Sequence, residues 1–131
     1  MDNTVVIVED DRQIRVGLKL SFQDAGYAVI DGTSLETVAA MISLRKSVTR
    51  ISLRAVVADF RLDLGVNGIT VIRCLNRLCG KGFRSVLITG DHDPGIAGRA
   101  RSAGMTLLLK PFRFEQLLAV IEGNFCPVGR A

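Results

Sequence analysis

Four short polar runs in this 131-residue chain each follow a stretch of apolar residues: Glu9-Asp10-Asp11, Asp59, Thr89-Gly90-Asp91 and Lys110-Pro111. Three or more carboxylates gathered at one place repel one another strongly unless a cation lies between them. Hard oxygen donors without histidine or thiolate favour Mg2+, Mn2+ or Ca2+ over zinc. One or two carboxylates, waters and a phosphate oxygen are the surroundings that Mg2+ prefers. A carboxylate such as Asp59 is also a nucleophile that can accept a phosphoryl group. The metal ion and Lys110 would then neutralise oxygens of the group in transfer, and the Thr89 hydroxyl would donate to it. These residue types describe a phosphoaspartate site.

Such a site needs a scaffold that brings the four runs together. Thr4-Val5-Val6-Ile7-Val8 reads as a strand buried on both faces, and Ile14, Leu18 and Phe22 mark a helix over 11–25 that Gly26 stops. Tyr27 to Ile30 is a second short strand, and Ser34 caps a helix through Val38, Ala39, Met41 and Ile42. Ser43 to Arg54 reads equally as an extension of that helix or as a basic loop. Ala55 to Ala58 is a third strand ending at Asp59, and a helix with Ile69, Ile72, Leu75 and Leu78 follows Gly68. Ser85 to Ile88 and Met105 to Leu109 are further strands, with helices over 94–103 and through Phe114, Leu117, Leu118 and Ile121. Five strand–helix units in strict alternation imply an α/β fold with a parallel sheet covered by helices. Ligands in such folds bind beyond the carboxyl ends of the strands, where the four polar runs lie.

Size and composition are those of one soluble globular domain, with 48% hydrophobic and 23% charged residues. No apolar run approaches the ~18 residues of a membrane span, and the acidic N-terminus lacks the build of a signal peptide. A cytoplasmic location is expected. Seventeen basic residues stand against thirteen acidic ones, and Arg45, Lys46, Arg50 and Arg54 account for the whole excess of +4. With one Tyr and no Trp, a base-stacking platform for nucleic acid is not expected; an acidic protein surface is the first partner to seek for residues 45–54. Cys74 and Cys79 read as small buried hydrophobes, and Cys126 as a free thiol in the tail.

With their order and separations, Val8-Glu9-Asp10-Asp11, Asp59, Thr89-Gly90 and Lys110-Pro111 resemble the receiver domains of two-component response regulators, over about residues 4–124. The resemblance implies a flavodoxin-like, doubly wound sheet of five parallel strands in the order 2-1-3-4-5, with helices on both faces. It implies one domain over 1–124 and a tail over 125–131. It also implies that Asp59 takes phosphate from a histidine kinase or histidine phosphotransfer protein and passes the signal to a downstream protein. Asp10 is then the direct Mg2+ ligand, Glu9 acts mainly through water, and Asp59 and the Arg61 backbone carbonyl complete the set, leaving the Arg61 side chain free. Thr89 bonds the phosphoryl oxygen, Lys110 pairs with it, and the Lys110-Pro111 bond is cis. Apart from its own phosphorylation and dephosphorylation, such a chain is not an enzyme. A homodimer stays open, and the eight residues after Gly123 are too few for a DNA-binding output domain.

Three features depart from the family pattern. Leu107 stands where a Tyr or Phe is common, three residues before the lysine. The loop Phe60 to Gly68 lacks the usual proline, and its Asp59-Phe60-Arg61-Leu62 start resembles receivers allied to hybrid histidine kinases. The stretch from Asp10 to Asp59 is several residues longer than in compact members. Asp11 is expected to cap the first helix or face solvent, and Asp63, Asp91, Asp93 and His92 to be solvated loop residues. The alternative functions are a haloacid-dehalogenase-like phosphatase, which needs a second Asp at the place of Arg61, a flavin- or nucleotide-binding module, which wants a glycine-rich loop after strand one, and a partner-binding receiver without phosphorylation.

Overall fold

The computed structural model describes residues 3–48, 51–80 and 82–123. The apolar runs form β1 (Thr4–Val8), β2 (Ala28–Gly32), β3 (Leu53–Asp59), β4 (Arg84–Thr89) and β5 (Thr106–Leu109). They pair in parallel in the order β2-β1-β3-β4-β5, as expected. Between and after them run α1 (Arg12–Asp24), α2 (Leu35–Lys46), α3 (Gly68–Cys79), α4 (Pro94–Ser102) and α5 (Phe114–Ile121). A 3-10 turn at Asp63–Gly65, which periodicity does not reveal, precedes α3.

Alternation along the strands divides the interior into two layers, because successive side chains point to opposite faces. Val5, Ile7, Val57, Val86 and Ile88 meet α1 and α5 on one face. Val6, Val8, Val56, Ala58 and Leu87 meet α2, α3 and α4 on the other. Phe22 of α1 is fully buried, with Tyr27 and Phe114 edge-on at centroid distances of 5.8 and 4.9 Å. That geometry suits the ring quadrupole.

All five helices open at the carboxyl edge of the sheet, and α1 to α4 each have a polar side chain accepting from the helix's own first turn. Asp11 accepts from Gln13 N–H (2.9 Å) and Ile14 N–H (3.2 Å), so it is the cap the sequence suggests. Ser34, Asn67 and Asp93 do the same for α2, α3 and α4. Asp93 is thus an exposed loop acid with a structural task.

The ambiguous stretch from Ser43 divides. Helix α2 runs on to Lys46, and β3 starts at Leu53, two residues before the expected run. The register slips between Thr4↔Leu53 and Val5↔Ala55, so Arg54 is an extra residue in β3, which hides the strand start from an alternation test. The basic segment is therefore split between a helix end and a strand; Arg50 lies outside the described residues, as does the expected tail with Cys126.

Helix α4 carries two interior glycines and buries only Ile96 and Ala100. A Cβ on Gly98 would meet no atom within 4 Å. Gly98→Ala is expected to stabilise the fold by about 0.5–1 kcal/mol, seen as a higher thermal midpoint, because glycine loses more backbone entropy in a helix.

Candidate functional site

Glu9 follows β1 directly and is fully buried, its N–H donating to the Gly32 carbonyl at 3.1 Å. Asp59 ends β3 and is almost as buried. Parallel pairing of β1 with β3 brings the two side by side with Asp10, and carboxylate oxygens of Glu9, Asp10 and Asp59 lie within 4.8 Å of one another. Lys110, next after β5, reaches across from the far side of the sheet. Its Nζ donates to Asp59 Oδ2 at 2.7 Å and stands 2.9 Å from Glu9 Oε1. Its backbone N–H donates to the Thr89 carbonyl at 2.7 Å, which fixes the root of the side chain.

The arrangement is short of positive charge. Burial pushes the Glu9 carboxyl up to about 7, and the neighbouring Asp59 carboxylate adds to that, against the opposing hydrogen bonds from the Asp11 backbone and Lys110. For Lys110, burial alone would lower the ammonium, but its hydrogen bonds to Asp59 and Glu9 outweigh it and the group is raised. Glu9 Oε2 accepts from Asp11 N–H at 3.1 Å. Glu9 Oε1 is fully buried, with the Lys110 ammonium, shared with Asp59, 2.9 Å away. Three carboxylates that share a single lysine, with their oxygens within 4.8 Å of one another, are a donor set that fits a hard divalent cation.

A titration follows from this. Glu9 binds its proton more tightly in the folded chain (about 7 against 4.5), so its contribution to stability is complete below 4.5 and lost as pH rises to about 7. Metal-free protein is expected to lose stability over that window. Glu9→Gln should flatten the slope in denaturant titrations at pH 4.5, 6 and 7.5; an equal slope in both proteins would locate the effect elsewhere.

Thr89 ends β4 with 2% exposure, and its Oγ1 accepts from Asp91 N–H at 3.1 Å. Among the described residues it makes no direct bond to Asp59. Arg61 donates its backbone N–H to Asp59 Oδ1 at 3.0 Å. Its side chain, expected to be free, is not. Arg61 Nε and Nη2 both donate to Asp91 Oδ2, at 2.9 and 2.7 Å, and the Asp93 N–H, followed by this guanidinium, holds the Asp91 carboxyl low.

Asp91 is a solvated loop acid, as expected, but it is also paired with Arg61. Asp63 is exposed, but its carboxyl is raised by a hydrogen bond with Asp10, so a further acid borders the cluster. A signal for the Arg61–Asp91 pair existed: each lies two residues beyond the end of neighbouring parallel strands.

Phe60 is 2% exposed, with the Arg61 guanidinium 5.6 Å and the Arg99 guanidinium of α4 5.1 Å from its ring centroid. Leu107 is half-buried against the core layer under α2, α3 and α4. The Lys110-Pro111 bond is cis and His92 is exposed, both as expected. Cys74 and Cys79 are half-buried rather than buried, and burial raises the Cys79 thiol.

The model of the response regulator receiver domain matches residues 5–122. No curated protein sequence matches the chain. Among solved structures, the Vibrio cholerae chemotaxis protein CheY4 aligns at 21% identity and TM-score 0.77, over 95% of this chain and 100% of that one. A response regulator receiver protein from Burkholderia phymatum aligns at 26% identity and TM-score 0.70, over 95% and 98% of the two chains. FixJ-N aligns at 29% and 0.71, over 93% and 92%. The pairing of β1, β3, β4 and β5 carries an acid cluster, a threonine and a lysine to one edge of this sheet, and the chain belongs to the response regulator receiver domain family.

Proposed function

We propose that Asp59 is the residue through which this receiver takes up a phosphoryl group. The supporting observation is the meeting of Asp59 with Lys110 and with the buried Glu9 and Asp10 carboxylates at one sheet edge. The donor is a phosphohistidine of a histidine kinase or phosphotransfer protein. An Asp59 carboxylate oxygen attacks phosphorus, the phosphorus–nitrogen bond breaks, and the imidazole leaves with its electron pair.

Lys110 pairs with a developing phosphoryl oxygen, and the Thr89 hydroxyl, whose oxygen is fixed by Asp91 N–H, donates to another. Glu9, Asp10, Asp59 and the Arg61 carbonyl would hold a Mg2+ ion, which would supply the positive charge that one lysine cannot. Water later attacks the acyl phosphate and restores the carboxylate. The chain thus modifies itself and turns over no separate substrate. Its domain spans 1–124, and its downstream target is a protein. No helix among the described residues is long and apolar enough to cross a membrane; a cytoplasmic location accords with the two-component role.

The test is incubation of the full chain with Mg2+ and acetyl phosphate, read by intact mass. One phosphoryl group is expected, lost on brief exposure to base and absent when the metal is chelated. No adduct with metal present, or one stable to base, would sink the reading.

A further inference from the structure

The loop that leads from the acceptor to α3 closes on itself. Arg61 and Asn67 form an antiparallel bridge, and Leu62 N–H donates to the Val66 carbonyl at 3.0 Å. The Arg61 side chain ties the start of the loop to Asp91, and Asp63 shares a hydrogen bond with Asp10. At the tip Leu64 takes a φ of 64° and a ψ of 23°, left-handed values that a leucine rarely adopts, and its side chain is 99% exposed. The strain costs stability, and a side chain left in water returns none by burial. Folding alone gives no reason for a leucine here.

Leu64 borders a cleft of about 680 Å3 between this loop and the start of α2. Buried Leu62, half-buried Leu35 and exposed Val66 line the same cleft. So do the exposed acids Glu36 and Asp63, and among the described residues the lining includes no base. Neither acid forms a salt bridge among the described residues, and Arg61, the base of this loop, is already held by Asp91. A lone exposed aliphatic is ordinary; one held out by a strained backbone, at a cleft that joins apolar walls to two carboxylates, is a surface made for a partner. A nucleic-acid phosphate or an anionic headgroup would meet those carboxylates with like charge. A small cation inside the cleft would leave Leu64 in water. A polypeptide that carries bases beside apolar side chains satisfies both features.

We propose that the cleft between the 61–67 loop and the start of α2 docks a basic amphipathic segment of a partner protein, with its bases on Glu36 and Asp63 and its apolar side chains on Leu64, Val66 and Leu35. The cleft is built by the loop and the helix, so docking does not depend on the role of Asp59. Pairing with exposed carboxylates makes the interaction sensitive to salt, and the apolar contacts set what remains at high salt.

The experiment uses the isotope-labelled full chain and three peptides: a designed helix with lysines and leucines on adjacent stripes, a scrambled peptide of the same composition, and a polylysine of equal charge. The first is expected to bind at least tenfold more tightly than the other two, with amide shifts confined to 33–36 and 62–70. Glu36→Gln with Asp63→Asn should weaken it at least fivefold at low salt and little at high salt. Leu64→Asn puts a residue that tolerates the left-handed region at the tip. It should weaken binding at least fivefold without lowering the thermal midpoint, which separates a contact role from a structural one. Equal binding of the scrambled peptide, shifts centred on 9–10 and 59, concentration-dependent self-association through the same residues, or a Leu64→Asn variant that binds as tightly as the parent or melts lower would each overturn the proposal.

Discussion

Asp59→Asn will abolish the labile phosphoryl adduct and leave the chain folded. The amide is not a nucleophile at neutral pH, so the acyl phosphate cannot form. Its oxygen can still accept from Arg61 N–H, and its size matches the original side chain. Removing one carboxylate also lowers the mutual repulsion in the cluster, because Asp59 is among the groups that raise the Glu9 carboxyl. Metal-free Asp59→Asn should therefore be at least as stable as the parent above pH 7 in a denaturant titration. An undiminished adduct in this variant would place the acceptor on another residue.

Gly68→Ala is expected to damage both stability and phosphorylation. Gly68 opens α3 with its N–H on the Phe60 carbonyl at 2.9 Å. A Cβ there would overlap the Asp59 carbonyl oxygen and come within 2.8 Å of Leu87 Cδ2. The backbone of the acceptor residue and the start of α3 cannot both keep their places. Overpacking of this kind costs about 1–3 kcal/mol, and here the strain falls on the residue that must attack phosphorus. Uptake from acetyl phosphate should fall by at least tenfold, more than the unfolded fraction explains. An adduct rate within twofold of the parent would show that the loop yields without moving Asp59. Gly98→Ala, where open space awaits the methyl group, is the matched control.

The elements legible in the sequence are those that depend on near neighbours. β-Branched runs gave the strands, apolar spacing gave the helices, and Asp11 and Ser34 marked helix starts because a cap bonds its own first turn. The acid cluster was legible once the parallel order placed Glu9, Asp10 and Asp59 at one edge. Less accessible was whatever depends on loop conformation or on pairs distant in sequence. Arg61 and Asp91 are thirty residues apart, and their bond rests on how two loops leave neighbouring strands. The Asp10–Asp63 contact depends on the 3-10 turn at Asp63–Gly65, where Leu64 adopts a φ of 64° with no glycine to signal it. The basic segment was ambiguous for a similar reason. Arg45 and Lys46 end α2 whereas Arg54 lies in β3, and the register shift there obscures where the strand begins.

The position of Phe60 has a bearing on how this protein opens locally. The ring follows the acceptor in the chain, is almost wholly buried, and has Arg99 of α4 over its face. Helix α4, with two glycines and two buried residues, has little of its own to resist fraying. Lifting it from the sheet would carry Arg99 away and wet the ring beside Asp59. The acceptor loop and α4 are therefore expected to open as one cooperative unit, with a common free energy of amide exchange.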